Sequence, residues 1–133
     1  MKNIEWGKIL SVEIDEIDDD HRKLLDIFNI LNHSLMEGES QEYLAAVLKE
    51  LINCTVWHFS HEERLMLKYN YEKTEEHKKA HQELINSALE LQEKILHSDG
   101  ALVEKDLIFL DHWLTEHIVT DDMELGTFLS QVM

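Results

Sequence analysis

The chain has no proline, one cysteine and four glycines among its 133 residues. Without proline, and with glycine scarce, little along the chain forbids long helices, and an all-helical reading follows. The lone cysteine, Cys54, excludes an internal disulfide and fits a reducing compartment. No run of 18 or more apolar residues is present, which leaves no candidate for a membrane-spanning helix. Basic residues are few as well: 12 Lys and Arg against 28 Asp and Glu give a formal net charge of -16. Nucleic acid and anionic membranes would repel such a surface, so neither is an expected partner. The start, Met1-Lys2-Asn3-Ile4-Glu5, lacks the apolar stretch of a secretory signal, and a cytoplasmic protein is expected. The length suits one domain with a core of its own, residues 1–133.

What is present is helical periodicity. Residues 1–17 form an arm in which Leu10, Val12 and Ile14 alternate with Ser11, Glu13 and Asp15. Alternation suits a strand, but no later segment offers it a partner. An extended arm is expected, anchored by Ile4, Trp6 and Ile9. A first helix should start near Asp18 to Asp20, carry the stripe Leu24, Leu25, Phe28, Leu31 and Leu35, and stop at Gly38. A second, capped by Ser40 and running to about Lys68, carries Leu44, Val47, Leu48, Leu51, Cys54, His58, Glu62 and Leu65. A third, capped by Thr74 and running to about His97, places His77 and His81 ahead of Leu84, Ile85, Ala88, Leu91 and Ile95. After a Ser98-Asp99-Gly100 turn, a fourth over about 102–129 puts Val103, Leu107, Leu110, Leu114, His117, Ile118 and Leu125 on one side. Four amphipathic helices with short connections make an all-α, antiparallel up-down-up-down bundle over residues 18–130, with the arm laid against it.

The anomaly in this pattern is chemical. His21, His58, Glu62, His77, His81 and His117 occupy positions where the stripes demand apolar residues. A single histidine on such a face is usually a hydrogen-bonded core residue. Here all four helices contribute, and burying Glu62 and an aspartate of the fourth helix without a counter-charge would cost several kcal/mol. A multivalent cation removes that objection, and imidazole and carboxylate without thiolate suit iron, zinc or manganese. His33, His97 and His112 rotate away from these faces toward solvent or flanks, whereas His61 lies only roughly 60° from His58. Cys54 reads as a small buried hydrophobe. The zinc-protease spacing fails at Leu65, and no Glu-x-x-His pair precedes any histidine.

The series His21, His58-x-x-x-Glu62, His77-x-x-x-His81, His117-x-x-x-x-Asp122 resembles the hemerythrin family, in particular its single-domain bacteriohemerythrins. Trp6, Ile17-Asp18, Glu63, Met66 and Trp113-Leu114 lie at family positions too, while Asp19-Asp20 departs from the usual Glu-Gln and the loop at Tyr69-Asn70-Tyr71-Glu72 lacks a common proline. The resemblance implies two non-haem iron ions, with His77, His81 and His117 on one, His21 and His58 on the other, and Glu62 and Asp122 bridging. With a bridging oxo or hydroxo group, two octahedral ions keep one open position, on the iron with two histidines. Helical rotation alone favours Asp121, four residues after His117, because Asp122 lies roughly 140° away; the family pattern points to Asp122, which requires a local widening of the helix.

The function so implied is reversible dioxygen binding for storage, transport or delivery, without enzymatic turnover. Sensing of oxygen, nitric oxide or redox state, and a peroxidase or nitric oxide reductase reaction at the same site, are the alternatives. Trp113, Leu114 and Ile118 are the candidates for a dry wall around the ligand, with ordinary core packing as the competing role.

Overall fold

The computed structural model describes residues 3–97 and 101–133, leaving out the side chains of Lys8 and His97; the expected Ser98-Asp99-Gly100 turn and the orientation of His97 lie outside the described residues. The described residues contain no strand. They form an antiparallel four-helix bundle: α1 (Asp15–Met36), α2 (Gln41–Tyr69), α3 (Thr74–His97) and a fourth rod made of α4 (Glu104–His117), a π-helical turn (Ile118–Asp122) and α5 (Met123–Val132). α1 packs on α2, α2 on α3, and α4 closes the ring against α1 and α3. No described helix is long and apolar enough to cross a membrane.

Local chemistry sets the helix ends. Gly38 adopts φ +75, a left-handed conformation that glycine takes without a Cβ penalty, and ends the first helix. The Ser40 hydroxyl accepts from the Tyr43 N–H at 3.1 Å and opens α2. Asn70, at φ 56, closes α2 by donating its N–H to the Met66 carbonyl. The expected cap at Thr74 is corrected: its hydroxyl donates to the Tyr71 carbonyl at 2.6 Å, and the first α3 hydrogen bond runs from the His77 N–H to the Lys73 carbonyl. Val103 is another correction, since it is exposed at the head of α4 while Leu102 is buried and its N–H donates to Gln41 Oε1 at 2.9 Å.

The core is a column of stripe residues, with Leu24, Leu25, Phe28, Leu31, Leu44, Leu48, Leu51, Leu107 and Leu110 buried. At about 1.5–3 kcal/mol per fully buried side chain, this column supplies the main drive for folding. α1 begins at Asp15, ahead of the expected Asp18 to Asp20, because Ile14 supplies the carbonyl that accepts from Ile17 and Asp18. Asp18, buried, then binds the arm: its carboxylate accepts from the Val12 N–H at 2.8 Å and the Ser11 hydroxyl at 2.6 Å. Asn29 and Ile4 exchange two hydrogen bonds of 2.8 Å, and the Arg22 guanidinium lies 4.7 Å over the Trp6 ring. Ile9 is not an anchor. A short 3₁₀ turn at Lys8–Leu10, tied by the Leu10 N–H to the Gly7 carbonyl, turns Leu10 inward and leaves Ile9 78% exposed.

Candidate metal centre

Toward the end of the bundle where α1 and α3 begin, the apolar column is interrupted by a polar layer. His21 comes from α1, His58 and Glu62 from one face of α2, His77 and His81 from successive turns of α3, and His117 and Asp122 from the ends of the π turn. All seven are buried, and neither Glu62 nor Asp122 exposes more than 1% of its surface. The π turn explains how His117 and Asp122 share a site. Widening the helix over five residues brings positions five apart onto one face, where α geometry would separate them by roughly 140°.

The two carboxylates divide their oxygens between two sets of imidazoles. Glu62 Oε1 lies 3.2 Å from His77 Nε2 and 2.9 Å from His81 Nε2, while its Oε2 lies 3.2 Å from His58 Nε2 and 3.7 Å from His21 Nε2. Asp122 Oδ1 lies 3.1 Å from both His77 and His117 Nε2, while its Oδ2 lies 2.9 Å from His21 Nε2. Two ligand clusters result, Glu62-His77-His81-His117-Asp122 and His21-His58-Glu62-Asp122, sharing both carboxylates. Despite this crowding, Glu62 Oε2, His117 Nε2 and both Asp122 oxygens make no hydrogen bond. Buried groups left that way are costly as protein-only contacts. They become satisfied ligands around cations, so the donor set fits a pair of metal ions held by nitrogen and oxygen. The Cys54 thiol belongs to neither cluster, and burial pushes its pKa up, keeping it protonated.

Outer carboxylates orient three of the rings. The Nδ1 atoms of His58, His81 and His117 face Asp20 at 2.8 Å, Glu63 at 3.0 Å and Asp121 at 3.1 Å. With Nδ1 as the donor, each ring presents its Nε2 lone pair to the centre, the tautomer a metal ligand requires. Asp121 therefore sits behind His117, half-exposed, while Asp122 faces the shared centre. His61 shares Asp20 Oδ2 with His58, at 2.6 Å, and does not reach the centre. His33 and His112 are exposed, as expected.

The family model of the hemerythrin HHE cation binding domain matches residues 12–129. The chain belongs to the hemerythrin family. Bacteriohemerythrin of Pseudomonas paraeruginosa is 32% identical over 123 residues, covering 92% of this chain and 78% of that protein. The bacteriohemerythrin of Methylococcus capsulatus is 34% identical over 114 residues, 85% of this chain and 86% of its own. A crystal structure of wild-type hemerythrin matches with a TM-score of 0.87 at 26% identity, covering 95% of this chain and 97% of that one.

Within this hemerythrin fold, sequence reading missed the outer partners of His58 and His81. Asp20 and Glu63 act across helices, where periodicity along one helix gives no signal, although the departure at Asp19-Asp20 marked the place. Phe59 was missed as well. It stacks on His81 with ring centres 3.8 Å apart, and its position next to His58 was the available clue.

Protonation of the metal-free hemerythrin centre has a definite sign. Burial alone would lower the imidazole pKa values, but the charges and hydrogen bonds of the carboxylates outweigh it, raising His58 and His117 to about 10 and His77 to about 9. Burial likewise opposes ionisation of Glu62 and Asp122, and the surrounding imidazoles overcome it and lower both. Raised imidazoles stabilise the metal-free fold fully below the ordinary value of 6.5, and that contribution is lost as pH climbs through about 9 to 10. Calorimetry of the metal-free protein should therefore show Tm falling from pH 7 to pH 10. Bound cations displace those protons, so the loaded protein should keep its Tm over this window and lose metal in acid instead.

Proposed function

We propose that this chain is a cytoplasmic protein that binds dioxygen reversibly at a non-haem di-iron centre, for storage, transport or delivery. His77, His81 and His117 would hold one iron, His21 and His58 the other, with Glu62, Asp122 and a solvent-derived oxo or hydroxo group bridging them. Such an iron pair, when bound, would supply the reversible two-electron chemistry that dioxygen binding requires.

The observation that carries this reading is a cavity of about 10 Å³ beside His21 and His58, walled by Leu24, Phe59, Leu114 and Ile118. Its volume is that of about one water-sized probe, matched to a small ligand. Apart from the side formed by the imidazoles and Asp122, its walls are apolar, and the one hydroxyl among them, Thr55, is already donated to the Leu51 carbonyl at 2.7 Å. The side chains therefore keep water and acid from a bound ligand, while the outer carboxylates fix the imidazoles. The titratable residues lining the cavity are His21, His58, His117 and Asp122, all assigned here as ligands, which favours binding over catalysis.

The deciding experiment is a visible spectrum and iron analysis of the anaerobically reduced protein, before oxygen, after it, and after its removal. Two irons per chain and a colour that comes and goes with oxygen support the reading. Irreversible oxidation, or steady consumption of an added reductant, would replace it with redox sensing or with a peroxidase or nitric oxide reductase reaction. Leu114→Ala enlarges the cavity and should speed loss of the oxygenated colour in air by several-fold. An unchanged decay rate would leave Leu114 a packing residue only.

A further inference from the structure

The small cavity has an outer neighbour. Between α3 and α4 runs a surface groove of about 510 Å³, lined among others by Ala80, Ser87, Phe109 and Glu116. The groove and the cavity share Leu84, Trp113 and His117, so these side chains are the wall between solvent and the inner space. The grooves along residues 26–43 and 70–131 share no residue with the cavity. Trp113 is almost fully buried, and its indole N–H donates to the Leu84 carbonyl on α3 at 2.8 Å. His117 is held in place by the centre and by Asp121, which leaves Leu84 and Trp113 as the parts of the wall able to move.

We propose that Leu84 and Trp113 form a gate through which a small neutral ligand passes between the α3–α4 groove and the inner cavity, latched by the indole-to-carbonyl hydrogen bond. The gate rests on the dioxygen reading above, because it needs a ligand bound in the cavity. Opening requires the indole to leave the Leu84 carbonyl and the Leu84 side chain to change rotamer. Both moves are local and break no contact within the polar layer. A gate is crossed in both directions, so weakening it raises association and dissociation rates by one factor and leaves Kd unchanged. A wall residue that touches the bound ligand would instead change Kd.

The test measures oxygen association by rapid mixing and release by displacement, in the iron-loaded parent, Trp113→Phe and Leu84→Phe. Trp113→Phe keeps an aromatic plug and removes the latch, and both rates should rise roughly fivefold, the factor of one neutral hydrogen bond. Leu84→Phe thickens the wall and should lower both rates together. Unchanged rates in both variants, or a shift in Kd carried by one rate, would overturn the gate. A parent that binds no oxygen would fail at a different step, overturning the dioxygen reading and the gate with it. A second readout needs no metal: in the metal-free protein the Trp113 indole N–H should exchange with solvent far more slowly than that of Trp57, which is 56% exposed. Equal exchange would overturn the latch.

Discussion

Asp122→Ala is expected to abolish retention of both metals, whereas Asp121→Ala should keep both and bind them roughly 10- to 100-fold more weakly. Of these two aspartates, only Asp122 joins Glu62 in both ligand clusters, with one oxygen toward His77 and His117 and the other toward His21. Asp121 touches the centre only through the Nδ1 of His117, from a half-exposed position. Removing Asp122 also takes one of two buried counter-charges from the imidazoles and leaves Glu62 alone among them, a loss of about 3 kcal/mol in the metal-free fold. Metal analysis after gel filtration, followed by chelator competition, separates the two variants. Two metals retained by Asp122→Ala would remove it from the bridging role, and complete loss in Asp121→Ala would move that role one residue back.

The second large effect lies away from the centre. Gly126→Ala should destabilise the protein by about 1–3 kcal/mol, the usual cost of overpacking a filled interior. A Cβ at position 126 would fall 2.4 Å from the Val12 carbonyl oxygen and 2.8 Å from the Val12 Cβ. Neither obstacle is the free end of a flexible side chain, so the arm itself must move. Alanine improves helix propensity by about 1 kcal/mol over glycine, which offsets only part of the clash. The displaced segment is the one Asp18 holds through Val12 and Ser11, so the arm should also become more open to proteolysis. Urea unfolding gives the stability change and limited digestion the displacement. A stability equal to or above the parent's would show that the arm yields without cost.

The four helices were legible because each carries an apolar stripe long enough to fix its face, and because Gly38 and Ser40 have unambiguous local chemistry. The polar layer was legible for a related reason: histidines and a glutamate on those stripes conflict with burial unless something joins them. Ile9 was misread because a three-residue turn reassigns which side chain of Ile9-Leu10 points inward, and that depends on docking to the bundle. Thr74 was misread because its hydroxyl found the Tyr71 carbonyl, a contact fixed by how the preceding loop folds back. The conflict between Asp121 and Asp122 came from treating the fourth helix as uniformly α. Rotation correctly paired Asp121 with His117, but through the outer nitrogen of the ring.

The π turn also acts as the register clock of the chain's last stretch. Leu125 and Leu129 reach the core only after the one-residue phase advance that the wide turn inserts between His117 and Met123. Tightening the turn to α spacing with all its residues kept would rotate everything downstream by roughly 100°. Leu125 and Leu129 would then swing off the core, Gly126 would lose its place beneath Val12, and Asp122 would turn away from His21, His77 and His117. The wide turn thus absorbs one surplus residue, and by doing so keeps the polar layer, the arm's seat and the terminal core in phase together.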